Sequence, residues 1–156
     1  FFLKLIEEGA DSLPITDFEM TRFWITLQQG VEFVCKSVAR MQGGEIFAPK
    51  IPSVTITKIA EALGPELDLE LIGLRPGEKL HEVLCPKDDW HKTIEFDDHY
   101  VIQPAIQFTE EIDFSCNKLG EHGRPVPRGF EYSSESNHHF LTVEEIKAMN
   151  RDLATP

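Results

Sequence analysis

Apolar residues recur along this chain with the period of a helix in some stretches and of a strand in others, and the switches between the two outline an α/β arrangement. Phe2, Leu5 and Ile6 share one helical face, with Gly9 placed to end the helix. Asp11 to Asp17 reads as a loop, and Arg22-Phe23-Trp24-Ile25 as an aromatic-rich strand whose Phe23 and Trp24 suit a core. From Leu27 to Met41, Val31, Val34, Cys35 and Val38 return at helical spacing up to the Gly43-Gly44 pair, which predicts a core helix. Glu45 to Ala48 reads as a strand bounded by Pro49 and Pro52, and Thr55 as the cap of a helix with the stripe Ile56, Ile59, Ala60 and Leu63, ended by Gly64-Pro65. The apolar run Leu69 to Leu74 is a strand.

Downstream, Lys87 to Lys92 is a charged, exposed loop, and the segments Thr93–Phe96 and Tyr100–Gln103 form a hairpin around Asp97-Asp98-His99. Glu95, Asp97, Asp98 and His99 offer ligands for a hard metal ion, but no EF-hand or H-E-x-x-H pattern accompanies them, and an acidic turn is ordinarily just solvated. Glu121 to Gly129 is a loop and Phe130–Tyr132 a short strand. Ser133 to Asn137 is a polar turn leading to His138 and His139, which lack the spacing of further metal ligands. Thr142-Val143-Glu144-Glu145 is a capping box that starts the last helix, with Leu141 stapled to Ile146.

The chemistry concentrates in Arg75-Pro76-Gly77-Glu78-Lys79-Leu80-His81-Glu82-Val83-Leu84. Pro76 and Gly77 force a turn at the end of a strand, and Glu78 to Leu84 reads as a short helix. Arg75 would then stand at a helix N-terminus, where a rigidly held guanidinium grips a phosphate. The same residues also fit a surface turn in which Arg75 pairs with Glu78 or Glu82.

Leu74 to Val83, Met20 to Leu27 and Gly43 to Pro52 together resemble the C-terminal part of the inverting UDP-N-acetylglucosamine 4,6-dehydratases, which are extended short-chain dehydrogenases acting on nucleotide sugars. The resemblance runs from Phe1 into the last helix. It implies the substrate-binding part of a larger enzyme, a small mixed sheet with helices, with the N-terminal Rossmann part largely absent and residues 1–50 packing against that missing half. It implies contacts to a UDP-sugar from Thr16, from Arg22 and Arg75 at the diphosphate, from Glu78 at the ribose, and from the turn Ser133, Ser134, Glu135, Ser136 and Asn137. It further implies NADP as cofactor, bound mainly outside this chain, a homo-oligomer, and a role in surface-glycan or pseudaminic-acid synthesis. For Thr16 a local side-chain turn, for Glu78 a helix-terminal carboxylate, and for 133–136 an ordinary helix-entry loop remain open.

Composition narrows the alternatives. A 156-residue chain that is 41% apolar builds one real core, and no apolar run reaches the ~18 residues of a membrane span. A net charge of −12 argues against nucleic acid or an anionic membrane as partner, so a phosphate ligand needs local cations. Cys35, Cys85 and Cys116 have no C-x-x-C spacing, which fits a reducing cytoplasm. The opening Phe1–Gly9 has no signal-peptide features. No G-x-G-x-x-G occurs, and neither tyrosine is followed at the fourth position by lysine, since Pro104 and Ser136 stand there, so this chain holds no catalytic residue of its own. A 4-epimerase of the same superfamily and a non-catalytic acidic interaction module are the competing readings.

Overall fold

The computed structural model describes residues 1–106 and 112–153, with the side chains of 152 and 153 left out. The chain divides into two compact units: Phe1–Trp24, Pro52–Glu82 and Asn137–Pro156 form the first, and Ile25–Ile51 with Val83–Ser136 the second.

In the first unit, α1 (Phe2–Glu7) ends as its periodicity requires: Gly9 takes φ +78°, and the Gly9 and Ala10 N–H groups donate back to Ile6 and Leu5. The segment read as a loop contains a strand, β1 (Ser12–Ile15), whose Leu13 and Ile15 are fully buried. Its proline hides it from a strand pattern. The strand tolerates Pro14 because it is paired, among the described residues, with β5 (Asp68–Leu71) alone, in parallel register. β5 stops at Leu71 rather than Leu74, because Gly73 turns to φ +82° and breaks the extended backbone. Antiparallel β2 (Thr21–Phe23) and β4 (Ser53–Thr55) set Arg22 opposite Val54. The Thr55 hydroxyl accepts from the Lys58 N–H and starts α3 (Ile56–Leu63), while Thr142 and Glu145 close their capping box at the start of α4 (Val143–Leu153). α3 and α4 bury Val54, Ile59, Ala62, Leu141 and Ile146 between them, with Trp24 packed alongside.

The second unit is built on a four-stranded antiparallel sheet, β3 (Ile46–Pro49), β8 (His99–Ile102), β7 (Thr93–Glu95) and β9 (Arg124–Pro125) in that order, and Tyr132–Ser133 (β10) pairs with Val83–Cys85 (β6). The predicted hairpin is present, closed by the Phe96 N–H donating to the His99 carbonyl. Lys87–Lys92 is a 3-10 helix rather than a loop. Ile94, Phe96, Val101 and Phe114 make the core. Gly123 lies so close to this hairpin that an added Cβ would sit 2.6 Å from Ile94 and 2.9 Å from the Glu95 carbonyl, so no other residue fits without backbone movement.

Two helical expectations fail. The helix α2 (Leu27–Arg40) forms, with a Thr26–Gln29 capping box, but it is not a core helix. Leu27, Val31, Val34 and Val38 are 80%, 50%, 60% and 64% exposed, and Arg40 is the one residue of α2 that is buried. Glu78 to Leu84 is not a helix: its first part is irregular and its end enters β6. The Leu80 carbonyl, which a helix would direct along its own axis, instead accepts from the Thr21 N–H at 3.1 Å and from Arg22 Nη1 at 3.0 Å. Seven residues forming few internal bonds lose to that tether. Arg75 is therefore held at a turn and not at a helix N-terminus.

Candidate diphosphate site

Four residues singled out by the sequence, Thr16, Arg22, Arg75 and Glu78, line one cavity of about 220 Å³ in the first unit, together with Pro14, Met20, Ile56 and Ile72. The fold positions each by a different element. Thr16 follows the last residue of β1, and Arg22 is the middle residue of β2. Arg75 and Glu78 bracket a tight turn in which Pro76 precedes Gly77 at φ +81° and the Glu78 N–H donates to the Arg75 carbonyl at 3.0 Å. The Glu78 carboxylate reaches back to accept from the Arg75 N–H at 3.2 Å, bracing the turn.

The two arginines differ. Arg22 is 23% exposed at its side chain, and its Nη1 donates to the Thr21 carbonyl at 2.7 Å and the Leu80 carbonyl at 3.0 Å. Its Nη2 lies 3.8 Å from Glu78 and its Nε 3.8 Å from Glu82. Arg75 is exposed, and its guanidinium makes no ion pair among the described residues. A cavity with one unpaired and one loosely paired guanidinium, a hydroxyl and a carboxylate is equipped to bind a small polyhydroxylated anion.

The remaining sequence candidates lie elsewhere. Asn137 belongs to the first unit but does not line the cavity; its amide donates to Ser53 Oγ at 3.0 Å and its Oδ1 accepts from the His139 N–H, fixing the approach to α4. Ser133, Ser134, Glu135 and Ser136 belong to the second unit. Ser133 and Ser134 are buried at 3% and 0%, and the Ser133 and Ser136 hydroxyls are 2.9 Å apart, whereas the side chains of Glu135 and Ser136 are exposed. The acidic hairpin is engaged by its neighbours: Asp98 meets the Arg40 guanidinium at 3.1 Å and the His99 imidazole at 2.7 Å, and Glu95 meets the Lys50 ammonium at 2.8 Å. Among the described residues no cluster of three or more His, Cys, Asp or Glu side chains could hold a metal ion.

Sequence reasoning missed the Arg40 network altogether. Arg40, 5% exposed, binds Glu121 through Nε at 2.7 Å and Asp98 through Nη2; burial pushes the Asp98 carboxyl up, but its hydrogen bonds to His99 and Arg40 together hold it below its ordinary range, and Arg40 with Asn117 holds Glu121 below its own. His99, fully buried and stacked on Phe96 and Phe47, is pushed below 6.5 chiefly by that burial. An arginine in the last turn of an apolar helix, with acidic turns far along the chain, was the available signal.

The chain is similar to several known proteins. The chain is 54% identical over 147 residues to an inverting UDP-N-acetylglucosamine 4,6-dehydratase of Campylobacter jejuni, covering 94% of this chain and 44% of that protein. It is 35% identical over 152 residues to a UDP-glucose 4-epimerase of Rickettsia canadensis, covering 95% of this chain and 43% of the epimerase. Among solved structures, that of Pen from Bacillus thuringiensis superimposes with a TM-score of 0.76 at 25% identity, over 98% of this chain and 44% of that one. The chain thus spans less than half the length of the curated relatives it matches. A family model described as polysaccharide biosynthesis protein matches residues 1–104, more than half of the sequence, and the chain belongs to that family.

Proposed function

We propose that this chain is the sugar-nucleotide-binding part of a longer UDP-N-acetylglucosamine 4,6-dehydratase, and that the cavity of the first unit seats the UDP moiety. The observation that carries the proposal is the convergence of Thr16, Arg22, Arg75 and Glu78, separated by up to 62 positions in sequence, on one cavity in which the Arg75 guanidinium has no ion-pair partner among the described residues. In this reading Arg75 and Arg22 share the diphosphate, which needs local cations on a chain of net charge −12. Glu78 accepts from ribose hydroxyls while its other oxygen braces the turn, and Thr16 donates to the ligand.

A nicotinamide, NADP in this proposal, supplies hydride acceptance at C4 and hydride return at C6 when bound, and it would be held by parts of the protein outside this chain. The exposed apolar stripe of α2 is the face that would meet those parts, since four large side chains in water on one helix face require a cover. Assembly into a homo-oligomer, a cytoplasmic location and a product destined for surface glycans or pseudaminic acid belong to the same proposal. Among the described residues no helix is long and apolar enough to cross a membrane.

A 4-epimerase would use the same diphosphate contacts, and the higher identity to the dehydratase, 54% against 35%, favours the dehydratase. Incubating the intact protein with UDP-N-acetylglucosamine and identifying the product tests the choice: a 4-keto-6-deoxy sugar is expected, and a C4 epimer would replace this reading with the alternative. If calorimetry detects no heat with any UDP-sugar, the chain is an interaction module instead.

A further inference from the structure

Arg22 is fastened by one end only. Its Nη1 is held by two carbonyls at 2.7 and 3.0 Å, both within hydrogen-bonding range. The hydrogens of Nε and Nη2 point the same way and form the fork that takes an oxyanion in bidentate fashion. That fork faces one oxygen from each of two different carboxylates, Glu82 Oε1 and Glu78 Oε1, at 3.8 Å apiece. Neither separation is a hydrogen bond, so attraction is present without the directional contact. Glu82 is 41% exposed at its side chain, so its carboxylate has water to turn to when it leaves, while Glu78, 27% exposed, stays braced on the Arg75 N–H and exchanges Arg22 for the ribose hydroxyls of the diphosphate reading.

We propose that Glu82 and Glu78 are place-holders on the Arg22 fork, that a phosphate group of the ligand displaces them, and that Glu82 thereby limits how tightly this site holds a phosphorylated ligand. The inference rests on the diphosphate reading of the cavity and adds a residue that neither lines the cavity nor serves as a ligand. The pairing keeps the guanidinium aimed while the site is empty, and its rupture is a cost subtracted from binding. Glu82 acts through Arg22 and is a positioning residue. Because exposed ion pairs are weak, the cost is small, equivalent to about a two- to five-fold change in affinity.

The test is calorimetry on the intact protein with UDP as probe and uridine as the phosphate-free control. Glu82→Gln keeps the side chain's size and removes its charge. UDP should bind about two- to five-fold more tightly to this variant, with uridine unchanged, and the gain should vanish in an Arg22→Gln background. An unchanged or weaker UDP affinity in Glu82→Gln overturns the inference. So does an equal gain in the Arg22→Gln background, which would mark a general field effect of one fewer negative charge. Arg75→Ala in the same series separates the two levels. If it weakens UDP binding while Glu82→Gln does nothing, the place-holder idea alone fails; if it leaves UDP binding intact, the diphosphate reading fails and takes this inference with it.

Discussion

Each unit of this chain contains an arginine set between two carboxylates, and the two are used in opposite ways. In the second unit Arg40 is 5% exposed and hydrogen-bonded to Asp98 and Glu121 at 2.7 to 3.1 Å, in a network that also holds Asn117. In the first, Arg22 stands 3.8 Å from both of its carboxylates, beside an Arg75 with no ion pair among the described residues. A guanidinium closed into hydrogen bonds and out of water is structure, because any ligand would have to break bonds that are already good. One whose fork is loosely met at the wall of a cavity is, in the proposed reading, in reserve for an incoming anion. Sequence does not separate the cases; distance and burial do.

The largest effect should come from breaking the closed case. Arg40→Met leaves Asp98 and Glu121 without their cation. Since these keep 47% and 43% of their side chains in water, the loss in unfolding free energy should be about 3 kcal/mol, the low end for a broken buried pair, read by urea denaturation. Arg75→Ala, by contrast, should leave stability within about 0.5 kcal/mol, as for an exposed side chain with no ion pair among the described residues, while weakening UDP-N-acetylglucosamine binding by about 1.5–3 kcal/mol. Equal effects of the two substitutions on stability would erase the distinction. Gly77→Ala should sit between them, at about 1 kcal/mol in stability, because φ +81° is strained for alanine, and should also cost affinity by moving Arg75.

Acid sharpens the contrast further. Against its own burial Asp98 is held below its ordinary range by His99 and Arg40, Glu121 is held below its own chiefly by Arg40, and His99 is held below 6.5 by burial. All three have depressed folded values, so the unfolded chain binds protons first and stability falls as pH drops. The loss should begin below about 6.5 with His99 and deepen through the carboxylate range, where Arg40 loses its partners. Urea midpoints at pH 7.5, 5.5 and 4.5 should descend in that order; a flat profile would mean the network contributes nothing.

Much of this was legible beforehand, for physical reasons that also explain the failures. Thr55 and the Thr142–Glu145 box place α3 and α4 because capping is local chemistry. The 93–102 hairpin shows because its alternation is intact. β1 was invisible because Pro14 interrupts it, and its burial depends on β5, more than fifty residues away. The 78–84 segment follows helix spacing, yet the Leu80 carbonyl is claimed by β2, a tether no local pattern encodes. α2 is the instructive case: its period correctly gives an apolar face, but period says nothing of what covers that face. The candidate site divides along the same line. Thr16, Arg22, Arg75 and Glu78, which the resemblance assigned to one ligand, line one cavity, whereas the pairing of Arg22 with two carboxylates, and Asn137's tie to Ser53, exist only in three dimensions.

A crystal structure of the intact protein with UDP-N-acetylglucosamine is the most direct measurement. Both phosphates should lie in the first-unit cavity, with Arg75 nitrogens within about 3 Å of phosphate oxygens and the Nε–Nη2 fork of Arg22 turned from Glu82 to the ligand. A diphosphate bound elsewhere, with Arg75 extended into solvent and Arg22 still facing its two carboxylates, would contradict the diphosphate reading.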